Sequence, residues 1–504
     1  MDTEIEIKFL VSHDISDRLP GLLQSYQILK HDQRRLANTY FDTAELALRR
    51  MDAGLRIRSQ DGELEQTIKL AGSQVGGLHQ RPEYNVALTE HSPDLSRFPA
   101  HIWPAGVEPE SLQQALQPLF CTDFTRQRWL LGVADGSEIE LAFDRGEIRV
   151  QGRQEPILEL ELELVRGDAS QLFELADILV KQGGLRLGAV SKAQRGYRLA
   201  GLSPAPALRP LEHIPLAGHE SCEQAMVRLL HQGLRHWQFH EEAWVTTPGI
   251  DWLVQLREGV SLVHQILLMF GGLVSHRVNS AWIDDLLWLQ QQLSWLDKAQ
   301  MLGHLSAEKG HYLRRLDCQK ALLAELAEQQ AQLPDEPQLR ELLHGPRYGR
   351  LMLGLTHWLY RQDWRAGLSE EQVAKLAAPV AGLARQLMDD SWQTLRRSAL
   401  GDERLGRERY IQQKGKLRRN LLVGLCFGEL YPAEARMGFR MPWLDILRGI
   451  EDLDMLSPLE EARERLAAED REELDDWLER KRRFLLEALE QSRAQALLLE
   501  PYWR

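Results

Sequence analysis

Glu4-Ile5-Glu6-Ile7-Lys8 alternates charged side chains with isoleucine. In an extended strand successive side chains point to opposite faces, so Glu4, Glu6 and Lys8 share one face while Ile5, Ile7 and Phe9 share the other. A single strand of this kind can be an edge kept soluble by charge. The alternation, however, returns through the first two hundred residues. Leu55-Arg56-Ile57-Arg58 interleaves apolar and cationic side chains, and Asp61-Gly62 is a two-residue hairpin signal. Leu64 to Leu70 then sets Glu65, Thr67 and Lys69 on one side. Further runs carry Arg81 with Glu83, Arg126 with Arg128, Glu138 and Glu140 with Asp144, and Glu159, Glu161 and Glu163 between leucines. The spacing predicts about eight strands, mostly antiparallel, with a polar helix around Asp14 to Tyr26 and a strand from Leu36 to Phe41.

An open sheet with one face in water does not need Arg or Glu at nearly every outward position. A closed barrel with a polar lumen does: apolar faces pack outward under helices while acids and bases gather inside. Such a lumen calls for ionic guests, because crowded charges are costly to bury unless they balance or bind charged species. A metal ion on the carboxylates and a polyanion on the Arg and Lys residues satisfy both sets.

At 504 residues the chain exceeds one ordinary core, and its 43% hydrophobic and 27% charged fractions are those of a globular protein. A formal charge of -13 argues against a general nucleic-acid binder. Four scattered cysteines, Cys121, Cys222, Cys318 and Cys426, match neither metal-ligand spacing nor a disulfide framework. With no signal-peptide core and no run of about 18 apolar residues, the expectation is a cytoplasmic protein that does not engage a membrane.

Pro204, Pro206, Pro210 and Pro215 mark a linker without periodicity. Beyond it the patterns are helical. Amphipathic stretches run from about Cys222 to Trp244, Ile250 to Phe270, Ala281 to Ala299, Ser306 to Gln332, Leu351 to Tyr360, Ser369 to Ala399, Glu408 to Phe427 and Glu473 to Leu499. Twelve of fourteen tryptophans lie in this part, as a bundle core requires. The expected fold class is therefore α+β: an eight-stranded antiparallel β-barrel tunnel with flanking helices over residues 1–201, a Pro-rich linker over 202–217, and an all-α helical bundle over 218–504.

Taken in order, several motifs resemble the CYTH family of triphosphate tunnel metalloenzymes. Glu4 to Lys8 fits its ExExK signature and Tyr40-Phe41-Asp42-Thr43 its aromatic-aspartate turn. Leu55 to Arg58, Thr67-Ile68-Lys69, Arg126 to Arg128, Asp144-Arg145-Gly146, Glu159 to Glu163, and Ser191-Lys192 with Arg195 complete the series. The resemblance implies a tunnel that binds triphosphates with magnesium or manganese. It implies Glu4 and Glu6 with two of Glu159, Glu161 and Glu163 as metal ligands, and Asp144 as a residue that orients a ligand or metal-bound water and counts with the metal set. Lys8, Arg56, Arg58, Lys69, Arg81, Arg126, Arg128, Lys192 and Arg195 would hold phosphate oxygens. Lys8, Arg56, Arg58, Lys69, Asp144 and Lys192 would act in catalysis. Guanidinium forks and oxygen-ligated magnesium suit this chemistry, because phosphoryl transfer needs chiefly charge neutralisation and in-line positioning. The expected reaction is attack by water on a terminal phosphorus, with Lys and Arg stabilising the departing diphosphate.

The helical part resembles the CHAD family, a histidine-rich module that follows CYTH in many bacterial proteins and is associated with polyphosphate. The residues concerned are Arg257, His264, Arg347 with Tyr348, and Lys414, Lys416, Arg418 and Arg419. The CYTH and CHAD pairing resembles bacterial inorganic triphosphatases, so inorganic triphosphate is the expected substrate, with polyphosphate a partner of the CHAD part and no nucleic acid. An adenylyl cyclase or organic triphosphatase, and a non-catalytic polyphosphate-binding scaffold, are the competing readings.

Overall fold

The Glu4 stretch lies in β1 (Asp2–Val11), the first strand of an antiparallel sheet that closes on itself. The others are β2 (Gln27–Asp42), β3 (Gly54–Gln60), β4 (Glu63–Lys69), β5 (Ser73–Val75), β6 (Leu78–Leu88), β7 (Gln117–Gly132), β8 (Glu138–Val150), β9 (Arg153–Arg166) and β10 (Leu185–Leu187). Neighbours follow the order β10-β1-β9-β8-β7-β2-β3-β4-β6-β5, and the pairing of β1 with β6 makes eight of the strands a barrel. The computed structural model describes residues 2–274, 276–307, 313–399 and 404–504. Two units result, Met1–Ala207 with Pro337–Asp363, and Leu208–Glu336 with Trp364–Arg504.

Strand register follows from the side-chain alternation. Glu6 sits opposite Glu163 and Lys8 opposite Glu161, so the charged faces of β1 and β9 coincide, as do their apolar faces. Outward, Ile7, Phe9, Leu160 and Leu162 are buried with Leu172, Phe173 and Leu179 of the helix Ser170–Val180. Asp61 and Gly62, with φ of 51° and 89°, form the tight β3–β4 turn that the dipeptide signals. Between Asp14 and Tyr26 only Leu19–Leu22 is helical, a single turn opened by Pro20.

The lumen is not uniformly polar. Leu36, Tyr40, Phe120, Phe124, Ile148, Val150 and Ile157 form an apolar cluster with Tyr197 of the helix Lys192–Leu199. Gly196 lets that helix approach, since a Cβ there would meet the Phe120 ring at 2.1 Å. The helix Pro346–Arg361 belongs to the barrel's unit: it packs on Ser170–Val180, with Arg350 Nε 3.0 Å from an oxygen of Asp177.

Among its described residues the second unit has helices as its only regular elements, beside one isolated bridge between Ser221 and Pro379. Cys222–Thr246 opens with a capping box on Ser221, and Ile250–Phe270 follows the Pro248-Gly249 break. The stretch read from Ala281 to Ala299 is two helices, His276–Gln292 and Leu296–Ser306. Of the stretch read from Ser306 to Gln332, residues 308–312 lie outside the described ones and helix occupies Gln319–Ala331. Pro379 divides Glu370–Ala377 from Val380–Ala399. Ala433–Asp454, which the sequence reading passed over, is one helix that contains Pro442. Among the described residues no helix is long and apolar enough to cross a membrane.

Candidate active site

Because β-strand side chains alternate, the inward faces of β1, β3, β4, β6, β7 and β9 deliver their charges to one place. Glu4, Glu6, Lys8, Arg56, Arg58, Lys69, Arg81, Glu83, Arg126, Glu161, Glu163 and Lys192 line a single cavity of about 270 Å³. Glu4 and Glu161, far apart in sequence, thus share one lumen.

The carboxylates fall into two sets. Asp144 and Glu159 are fully buried and sit behind the cavity's cations. Asp144 accepts from Arg126 Nε and Nη2 at 2.7 Å each and lies 2.8 Å from Lys192 Nζ. Glu159 lies 2.7 Å from both Lys8 and Lys192, and 2.5 Å from Arg195. Glu161 meets Arg126 at 2.6 Å and Lys192 at 2.7 Å. Burial opposes ionisation of both glutamates, but Lys192 and its neighbours override it, holding Glu159 down at about 2 and Glu161 well below the usual carboxylate range.

In the other set the cations do not outweigh burial. Burial pushes Glu163 up to about 8, with Glu4 adding repulsion. Burial likewise takes Glu4 to about 7 against the pull of Lys69, and raises Glu6, with Glu161 adding to the rise. Lys69 bridges Glu4 at 2.5 Å and Glu83 at 3.0 Å. With Arg56 it overcomes burial at Glu83, which is held at about 2. Glu4, Glu6 and Glu163 are therefore oxygen donors short of positive charge, which suits a hard divalent cation. Among the described residues no three acidic, histidine or cysteine side chains are already drawn together into a cage. The fit is one of donor chemistry in a cavity with room for water.

The cations divide as well. Burial, then Arg56 and Arg126, lowers Arg58 to about 10, and its Nε donates only to Asn38 Oδ1 at 3.0 Å. Arg56 Nε is buried without a hydrogen-bond partner. Among the described residues neither Arg58 nor Arg81 is paired with a carboxylate. These groups carry the capacity for an anion.

Besides Asp144 and Glu159, two sequence-derived cations stand apart from the cavity lining. Arg128 is held by Asp32 at 2.7 Å and Glu140 at 3.3 Å. Arg195 is held by Glu155, Glu159 and the carbonyl of Pro156. The structure adds Arg49, Asp52, Glu83, Ser191, Gln194 and Tyr197 to the lining. Glu83 was legible, since it shares a face with Arg81. Arg49 was not: it sits in a single helical turn, Ala47–Arg50, with no periodicity to flag it.

In the helical unit, Arg257, Lys414 and Arg418 line a cavity of about 760 Å³ together with Asp297. Asp297 lies 2.8 Å from Arg257, 2.9 Å from Lys414 and 3.5 Å from Arg418. Asp454 and Glu451 take the remaining reach of Lys414 and Arg418. Lys416 and Arg419 do not line it, His264 meets Gln290, and Arg347 with Tyr348 belongs to the barrel's unit.

Residues 2–197 match the CYTH domain and residues 228–453 the CHAD domain. Over 196 residues the chain is 40% identical to a Haemophilus influenzae protein named inorganic triphosphatase, a match that covers 39% of this chain and 54% of that relative. The chain thus spans about half the length of the curated relative it matches. A Hippeastrum structure, described as an adenylyl cyclase with a dominant triphosphatase activity, is 21% identical. It covers 38% of this chain and 92% of its own, with a TM-score of 0.28. The CHAD domain of the plant Ricinus communis is also 21% identical, over 58% of this chain and 98% of its own, with a TM-score of 0.42. The chain carries a CYTH domain followed by a CHAD domain.

Proposed function

We propose that the CYTH cavity hydrolyses inorganic triphosphate to diphosphate and phosphate, with magnesium as the working cation and manganese as its substitute. The observation that supports this reading is the imbalance just described: among the described residues Arg58 and Arg81 have no carboxylate partner and Glu6 and Glu163 no cation, while Glu4 shares Lys69 with Glu83. A condensed phosphate with its divalent cation satisfies both at once. The name of the Haemophilus relative, which matches over the CYTH half, supports the same activity.

In this reading Arg56, Arg58, Arg81 and Arg126 fork onto phosphate oxygens, while Lys8, Lys69 and Lys192 act as point charges. Glu4, Glu6 and Glu163, with Glu161, would hold the cation, which when bound neutralises charge on the phosphate oxygens. Asp144 fixes Arg126 and Lys192, so that both charges are in place before charge develops on the leaving diphosphate. Glu159 does the same for Lys8 and Lys192, which with Arg195 keep it ionised. The CHAD part has an accessory role, with polyphosphate as its proposed partner.

The test is a phosphate-release screen over tripolyphosphate, ATP, thiamine triphosphate and long-chain polyphosphate in magnesium and in manganese. Release chiefly from tripolyphosphate is expected. Cyclic nucleotide formed from ATP would select the cyclase reading. Tight tripolyphosphate binding without turnover would select the scaffold.

A further inference from the structure

The aromatic-aspartate turn has no part in the chemistry above, yet Asp42 is fully buried and heavily bonded. Its carboxylate accepts from the backbone N–H of Thr43 and Leu48 at 2.8 Å each, from that of Arg49 at 3.0 Å, and from the Tyr197 hydroxyl at 2.9 Å. One carboxylate thereby fastens the turn Ala47–Arg50 to the helix that carries Lys192. The turn is bracketed by Leu46 and Asp52, both in the left-handed region with φ of 58° and 54°. Such backbone is uncommon for residues with a side chain and persists where the surroundings enforce it.

What this scaffold presents is Arg49. Its guanidinium carbon lies 4.4 Å from the centre of the Tyr197 ring, and the side chain lines the same cavity as Arg56, Arg58 and Lys192. Its Nη1 is buried and has no hydrogen-bond partner. A buried guanidinium nitrogen without an acceptor is costly unless something outside the chain supplies one. The Tyr197 ring beneath the guanidinium attracts it without using its donors.

We infer that Arg49 is a further substrate-contacting residue, donating to a phosphate oxygen of the condensed phosphate from the Tyr197 side of the cavity, with Asp42 and Tyr197 as its positioning residues. This rests on the triphosphate reading of the same cavity. Asp42 thereby couples two anion-holding groups, Arg49 and Lys192, that come from separate elements far apart in the sequence.

The test is Arg49→Gln in the full chain, with Arg49→Lys and Tyr197→Phe beside it, read by tripolyphosphate kinetics and by the thermal shift that tripolyphosphate induces. Arg49→Gln is expected to raise KM by roughly tenfold to a hundredfold, the weight of one charge-assisted hydrogen bond, with kcat changed much less. Its melting temperature without ligand should stay near that of the parent, while its tripolyphosphate-induced shift shrinks. Arg49→Lys should recover part of the affinity. Tyr197→Phe keeps the ring under Arg49 and should weaken binding less than Arg49→Gln. An unchanged KM and an undiminished ligand-induced shift in Arg49→Gln overturn the inference. If the parent protein binds tripolyphosphate without turnover, the hydrolase reading falls while the ligand-induced shift still tests Arg49. If the parent shows neither turnover nor shift, both fall.

Discussion

Both cavities carry arginine, lysine and carboxylate side chains, although leucine and methionine share the lining of the helical one, and their charges differ in where the countercharges lie. In the helical unit Arg257, Lys414 and Arg418 surround Asp297, and Asp454 and Glu451 complete the balance. Burial opposes ionisation of Asp297, but the three cations hold its carboxyl well below the usual range. In the CYTH unit burial and then the like charges of Arg56 and Arg126 oppose ionisation of Arg58, and burial with Glu4, Glu140 and Glu6 opposes that of Glu163 against the pull of Lys69. A charged pocket becomes a site where like charges are kept together against their own repulsion, because only a guest can relieve them. In the helical cavity the acids beside Arg257, Lys414 and Arg418 already meet that demand.

The largest expected effect breaks the acidic half of that imbalance. Glu6→Gln or Glu161→Gln should lower metal-dependent phosphate release by about a thousandfold or more, the scale at which a whole metal or charge clamp is lost. Circular dichroism and melting temperature serve as the check that the fold survives. Turnover equal to that of the parent would remove both residues from the site. Next comes the cationic half. Arg58→Ala should reduce kcat/KM by roughly a hundredfold, as loss of two charge-assisted hydrogen bonds implies. Arg58→Met, which relieves crowding with Arg56 and Arg126, should raise the melting temperature of the ligand-free protein. A fall in both activity and stability would mean that Arg58 is a structural cation after all.

How much of this was legible depends on the range over which each feature is encoded. The period-two alternation in Glu4 to Lys8 or Glu159 to Glu163 is local, and strand pairing preserves it, so the barrel and most of its lumen could be read directly. Which cations would be neutralised could not. Arg126 and Arg128 are two residues apart on one face, yet Arg126 reaches the cavity while Arg128 ends between Asp32 and Glu140, a matter of partners on other strands. Arg49 was silent because its turn is fixed by Asp42 and Tyr197 rather than by its own periodicity. The helix Ala433–Asp454 was passed over, although Trp443, Ile446, Ile450 and Leu453 bury a stripe along it beyond Pro442. Likewise nothing in Pro346–Arg361 distinguishes a helix that packs on the barrel's own helix from the bundle helices on either side in sequence.

A smaller effect concerns stability in the balanced cavity. Asp297→Asn leaves three cations around a neutral amide and should destabilise the helical unit by about 1–3 kcal/mol, the partly exposed carboxylate tempering the cost of a broken buried pair. Urea unfolding followed by tryptophan fluorescence measures it. A neutral outcome would show that water already screens the hub, and the contrast between the two cavities would then be one of solvent access.

The mildest expected effect is a pH dependence carried by histidine in the helical unit. His236 is buried, its ring centroid 4.2 Å from that of His240, and burial followed by His240 lowers it to about 4. Above pH 6.5 the imidazole is neutral in both the folded and the unfolded chain and contributes nothing to the balance. As pH falls below that value the unfolded chain takes up a proton that the folded chain refuses until about pH 4, so stability declines across this window and the loss levels off below it. His236→Gln should flatten the decline by about 1–2 kcal/mol between pH 6.5 and 4. In the CYTH unit Glu83 and Glu159, both held at about 2, move in a lower window, with stability lost as pH drops from about 4.5 towards 2. A chain whose acid unfolding begins only below pH 4.5, with or without His236, would place the first loss in the ion-paired tunnel rather than in the histidines of the bundle.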